Sequence, residues 1–205
     1  SDRQAAEILE EIRKRSAVTP VMVADRLTWP EFSSIALDIP ALPGVTPESG
    51  LSRSYPRAGD FAHVLGYVGP VSDYDLSKIE NPDPVLRLPE FQLGKVGMEA
   101  KLEAELRGKA GARRVEVNSA GREMRELSRI EGQQGATVQT TLDAGLQNFA
   151  TQRLGNEGAA AVVMDVTNGD ILAISSSPVF DPNMFVRGIS GPDYRMLMQH
   201  DHRPL

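Results

Sequence analysis

Apolar positions along this chain recur first at helical and then at strand spacing, and the change falls just after residue 110. Ala5, Ile8, Leu9 and Ile12 return every three or four residues with charged residues between them, which predicts a short amphipathic helix over 4–15. Residues 21–26 predict a brief strand. Thr28-Trp29-Pro30-Glu31 has the form of a capping box with proline early in the first turn, opening a helix to about Leu37. Pro40, Pro43, Gly44, Pro47 and Gly50 predict a long turn-rich connection. An extended stretch over 51–55, a helix over 60–65 and a short helix over 74–79 capped by Ser72 follow, and Pro82, Pro84 and Pro89 keep the next stretch irregular. Met98, Leu102 and Leu106 recur every four residues and make one apolar stripe of a helix over 98–107. Lys101 with Glu105 and Glu103 with Arg107 are opposite charges four apart on its wet side. Glu99 falls in the first turn, where the helix dipole favours an anion, and Gly97 and Gly108 suit the two ends.

From there the pattern is that of strands over 114–118, 122–130 and 137–142, with Ser119-Ala120-Gly121 as the turn between the first two. Asp143 caps a helix whose apolar positions are Leu146, Phe149, Ala150 and Leu154, ended by Gly155 and Gly158. Two apolar runs, 159–166 and 171–176, flank Asn168-Gly169, the dipeptide of a type I′ hairpin turn. Both strands are apolar on both faces, so they call for cover above and below, and a two-stranded hairpin alone is marginal. One further helix is predicted over 193–199. The remaining strands and helices of this sheet are therefore expected in sequence outside this chain, and the fold class expected is α+β, with short helices on small twisted sheets.

Composition narrows the function classes. The chain has 205 residues, enough for one large or two small domains, and 40% hydrophobic and 24% charged residues, as in ordinary globular proteins. A net charge of -6 argues against nucleic acid and against anionic membrane surfaces. No apolar run approaches the roughly 18 residues that span a bilayer, and Ser1-Asp2-Arg3-Gln4 does not open a signal peptide. An anchoring segment is expected outside this chain. The absence of cysteine removes disulfides and thiolate metal sites.

Gly94-Lys95-Val96-Gly97-Met98-Glu99, followed by Leu106-Arg107-Gly108-Lys109-Ala110-Gly111, resembles a signature of the class B penicillin-binding proteins. Arg53-Ser54-Tyr55-Pro56 and His63-Val64-Leu65-Gly66-Tyr67-Val68-Gly69 resemble the pedestal of their elongation-specific branch. Thr140-Thr141-Leu142-Asp143-Ala144-Gly145-Leu146-Gln147 is similar to the entry to a transpeptidase domain. Residues 160–173 and Ser177-Pro178-Val179-Phe180-Asp181-Pro182-Asn183 are similar to that domain's first hairpin and the loop after it. The resemblance implies a non-catalytic pedestal over 1–157, with an outer lobe at about 20–93, and the start of a transpeptidase domain over 158–205. It makes Tyr55, Pro56, His63, Gly66, Tyr67, Gly94, Lys95, Gly97, Glu99, Gly108 and Gly111 structural motif residues. It implies a parent serine-type D,D-transpeptidase anchored on the periplasmic side of the bacterial inner membrane. It also implies two partners, a periplasmic rod-shape scaffold protein and a polytopic glycan polymerase of the shape, elongation, division and sporulation family. Trp29 and Phe32, which by residue type suit a core, are the candidate partner-binding residues because they lie in the outer lobe.

The family's chemistry needs S-x-x-K and then K-T-G, with a lysine activating the serine. Lysines 14, 78, 95, 101 and 109 are preceded three residues earlier by Glu11, Asp75, Gln92, Met98 and Leu106, and no Lys-Thr-Gly occurs. No catalytic residue, cofactor site or metal site is therefore assigned. His200-Asp201-His202 has the residue types of a metal clip but reads as a polar terminal stretch, and His63 reads as a hydrogen-bonded structural residue. Glu103 and Glu105 are expected on a solvated helical face, so they offer no carboxylate pair for glycoside cleavage. The rival reading is a self-contained periplasmic protein-binding module, which should cover the 159–176 hairpin with its own residues.

Overall fold

The computed structural model describes residues 8–10, 12–13, 21, 23–24, 27–47, 51–88, 91–118, 123–186 and 188–205. In chain order the elements are α1 (Trp29–Asp38), α2 (Ala58–Leu65), β1 (Val68–Pro70), α3 (Asp73–Lys78), β2 (Gln92–Gly94), α4 (Gly97–Lys101), α5 (Glu103–Arg107), β3 (Ala112–Val117), β4 (Glu123–Ile130), α6 (Ala144–Leu154), β5 (Ala159–Met164), β6 (Ile171–Ser177) and α7 (Gly191–Gln199). The strands pair as three antiparallel two-stranded sheets, β1–β2, β3–β4 and β5–β6. This is the expected α+β class. Backbone packing separates two units, residues 1–51 with 111–131 and residues 52–110 with 132–205.

In the first unit, residues 8–10 and 12–13 are helical, and the rest of the expected 4–15 helix lies outside the described residues. Val21, Val23 and Ala24 have no regular structure where a strand was expected. No described strand pairs with them, and an unpaired strand satisfies none of its backbone groups. Helix α1 starts as its capping residues predict. The Glu31 carboxylate accepts from the Thr28 N–H at 2.8 Å and from the Thr28 hydroxyl at 2.6 Å, and these bonds hold its carboxyl below the usual range. The β3–β4 hairpin follows its alternating pattern, with irregularities after Arg114 and after Glu116. Its 119–121 turn lies outside the described residues. No described residue of this unit is buried.

The buried core belongs to the second unit. Ala62, Phe180 and Phe185 form one cluster, bordered by Tyr67, Met184, Ile189 and Leu197. The Tyr67 ring stacks on Phe185 with centroids 3.9 Å apart, and Phe180 stands edge-on to both. Each buried phenylalanine contributes roughly 1.5–3 kcal/mol of transfer free energy. Tyr55, Val68 and Val186 form the second cluster, bordered by Ala58 and Leu65. Helices α2 and α6 both pack against β6.

Four local expectations fail here for identifiable reasons. The single helix over 98–107 is two short helices broken at Leu102, whose φ of -110° and ψ of 22° leave the helical region. The break turns the Glu103 carboxylate back to accept the Gly94 N–H at 2.8 Å. Residues 137–142 form no strand. They run past β6 and touch it through the Thr141 hydroxyl, which donates to the Ile171 carbonyl at 2.7 Å. The 165–170 turn is wider than type I′, because only Gly169 has positive φ. The Asp165 carboxylate takes the Thr167 N–H and hydroxyl at 2.8 and 2.6 Å, which organises a local Asx turn in competition with the two-residue loop. On α6 the buried residues are Gln147 and Ala150, whereas Phe149 is exposed.

Candidate functional site

Two of the expected motif residues of the second unit, Tyr55 and Gly94, meet a third, the buried carboxylate residue Glu99. Glu99, in the first turn of α4, is 7% exposed. Its oxygens accept from Arg53 Nε at 2.8 Å, from Arg53 Nη2 at 3.0 Å and from the Tyr55 hydroxyl at 3.1 Å. The same hydroxyl accepts from the Val68 N–H at 2.9 Å, so one phenol joins β1 to α4. Burial, and then the neighbouring Glu99 charge, push the Tyr55 phenol well above its ordinary range. It stays protonated and able to donate. A buried carboxylate costs several kcal/mol in lost hydration, and a charged partner with well-placed donors offsets that cost.

Glu103 lies one turn further on, against the other side of the same joint. Its Oε1 is buried, has no hydrogen-bond partner among the described residues and sits 3.9 Å from Arg107 Nε. Burial first, with help from Glu99, raises its pKa above the usual carboxylate value, while the Gly94 N–H and the Arg107 and Arg53 charges oppose the rise. The solvated face expected for Glu103 is therefore wrong, because the break at Leu102 rotates it inward. The Glu103–Arg107 pair forms as expected, at the long distance just given. Lys95 pairs with Asp75, whose capping-box partner is Ser72. Burial alone would raise the Asp75 pKa, but the Lys95 and Ser72 bonds together outweigh it and leave the carboxyl below its ordinary range.

Glycine is required where backbones touch in this joint. A Cβ on Gly94 would lie 2.0 Å from the Glu99 carbonyl oxygen. Gly66 has φ of 74°, and a Cβ there would lie 2.0 Å from the Val96 oxygen; a Cβ on Gly97 would in turn lie 2.7 Å from the Gly66 nitrogen. Gly108 makes the equivalent close approach to Gln133, and Lys109 and Gln133 exchange backbone bonds at 2.9 Å. Tyr67 belongs to the aromatic core. His63 Nε2 donates to the Pro204 carbonyl at 3.0 Å. Pro56 lines an apolar cavity of about 340 Å³ with Tyr55, Ala58, Phe61, Leu65 and Pro182. Gly111 is exposed, at the point where the chain leaves this unit. In the first unit Trp29 stacks on Phe32 with centroids 5.6 Å apart and is 77% exposed, which corrects the core placement that its residue type suggests.

Three polar residues emerge that sequence reasoning did not single out. Asn183 accepts from the Tyr55 N–H at 3.0 Å and donates to the Tyr55 carbonyl at 3.1 Å. Gln147 bonds both backbone groups of Ile174, and its Nε2 also donates to the Asp60 carbonyl at 2.6 Å. Asn148 donates to the Asp60 carboxylate. The available signal was their place in the quoted strings: Gln147 and Asn183 each end one. Among the described residues, no three His, Asp or Glu side chains converge as metal ligands. The arrangement braces backbone segments far apart in sequence.

Residues 1–140 match the penicillin-binding protein dimerisation domain, and the chain belongs to that family. Over its whole length it is 34% identical to the peptidoglycan D,D-transpeptidase MrdA of Escherichia coli K12, of which it covers 32%. It is 39% identical to MrdA of Acinetobacter baumannii over 80% of this chain and 24% of that one. Thus the chain spans about a third of the length of these relatives. All of it aligns with Helicobacter pylori PBP2 from a complex with MreC, at 26% identity and a TM-score of 0.76, covering 41% of that chain. Pseudomonas aeruginosa PBP2, in complex with WCK 5153, aligns over 78% of this chain and 31% of its own, with 29% identity and a TM-score of 0.61.

The joint makes a specific demand on Tyr55. Tyr55→Phe strips a donor from Glu99 and leaves the Val68 N–H without its acceptor. The expected loss is about 1–3 kcal/mol of unfolding free energy, read by denaturant titration. An unchanged midpoint would show that the hydroxyl carries no part of the joint.

Proposed function

We propose that this chain is the pedestal, with the beginning of the catalytic domain, of a peptidoglycan transpeptidase that cross-links stem peptides during cell elongation. The observation that carries the reading is the alignment of the entire chain with a PBP2 taken from its complex with MreC. Residues 1–157 form the non-catalytic support, with an outer lobe at about 20–93, and residues 158–205 open the transpeptidase domain. The motif residues, from Tyr55 and Gly66 to Glu99 and Gly111, act in holding the support rigid. The parent protein is anchored on the periplasmic side of the inner membrane by a segment outside this chain. Among the described residues, no helix is long and apolar enough to cross a membrane.

The rival reading, a self-contained binding module, fits the late hairpin poorly. Val162 and Met164 on β5 are 58% and 53% exposed, where a complete module should cover them. The partners we assign are a rod-shape scaffold protein of the MreC kind and a polytopic glycan polymerase. Trp29, exposed and stacked on the half-buried Phe32, supports the first assignment, since an exposed aromatic anchor suits the centre of a protein interface.

Replacing Trp29 and Phe32 together by alanine should weaken scaffold binding by about tenfold or more, measured calorimetrically, with the melting temperature little changed. Unaltered affinity in the folded variant would remove these residues from the interface. A fluorescent penicillin should leave this chain unlabelled and should label the longer protein that includes the S-x-x-K segment. Covalent label on the chain itself would contradict the assignment of the acylating serine to residues beyond it.

A further inference from the structure

The two edges of the β5–β6 ribbon differ in a way that the support role does not explain. In an antiparallel pair, the backbone groups of successive residues point alternately toward and away from the partner strand. Ile174 stands opposite Val162. Its N–H donates to Gln147 Oε1 at 2.9 Å, and its carbonyl accepts from Gln147 Nε2 at 2.8 Å. Both groups therefore face away from β5, and the Gln147 side chain fills the place that a third strand would take. The carbonyl of Leu172, two residues earlier, accepts from the Asp143 N–H at 2.8 Å. Gln147 is 1% exposed, so its amide is committed to this position.

The opposite edge has no such cover. By the same alternation, the Val162 backbone groups point outward from β5. Among the described residues they make no hydrogen bond outside the ribbon. Ala159–Met164 contains no proline and no lysine or other charged residue of the kind that guards exposed edges.

We propose that Gln147 is a strand surrogate that closes the β6 edge, so that the ribbon accepts its next strand at β5 alone. The occupant we assign is a strand of the longer polypeptide, because the relatives are about three times the length of this chain. That occupant rests on the functional reading above; the closure of β6 by Gln147 does not.

Residue-resolved amide exchange on this chain and its Gln147→Leu variant tests the closure. The expected result is Ile174 N–H exchange faster by about tenfold or more in the variant, with the ladder amides of Ala173 and Ser175 nearly unchanged. Unchanged Ile174 exchange, or equal acceleration at all three amides, would overturn it. Should the variant not fold, the native chain decides: a protected Ile174 beside a freely exchanging Val162 is required, and the reverse refutes the proposal. In the longer protein the Val162 amide should become protected. If it stays open there while Ile174 remains protected, the occupant falls and the Gln147 closure stands.

Discussion

A carboxylate withdrawn from water imposes conditions on everything around it, and Glu99 sets those conditions for the second unit. Its charge requires Arg53, from a segment 46 residues away in sequence, and its second oxygen draws the Tyr55 hydroxyl. Tyr55 is held in turn by the Val68 N–H and by the Asn183 amide, the latter 128 residues away. Satisfying one buried charge thus fixes the start of the unit, its first sheet, the helix at 97–101 and the loop after β6 in one arrangement. Removing any partner strands a polar group in a low-dielectric site, which costs more than the partner's net contribution.

This joint gives the residues that resemble a family signature a physical meaning. Gly66, Gly94 and Gly97 occupy backbone crossings that have no room for a Cβ. Lys95 ties the end of β2 to α3, and Glu99 ties α4 to β1. None of these residues presents a nucleophile, a base or a ligand cluster to solvent. Their arrangement ties together backbone segments far apart in sequence.

Much of the element order was legible because periodicity and caps are local. Ser72 and Asp143 cap their helices as their residue types suggest, and both late hairpins follow their apolar patterns. The failures come from long-range bonds. Helical spacing alone places Glu103 on the solvated face, because it cannot see the Gly94 N–H. The same spacing counts Phe149 among the apolar positions of α6, yet the structure exposes Phe149 and buries Gln147, which finds strand-like partners on Ile174 and Asp60. The aromatic pair at Trp29 and Phe32 misleads in the opposite sense, since residue type suggests burial and the first unit supplies none among the described residues.

Native-state hydrogen exchange across the second unit tests the central claim most directly. If the Glu99 joint makes residues 52–110 and 132–205 one cooperative body, the slowest amides at β1–β2, such as that of Lys95 bonded to the Tyr67 carbonyl just beyond β2, and those of β6, such as that of Ala173, should open with the same free energy and the same denaturant dependence. Opening of the β1–β2 amides at a free energy lower by about 2 kcal/mol or more, with β6 still protected, would mean that the two stretches fold separately and that the buried carboxylate does not unite them.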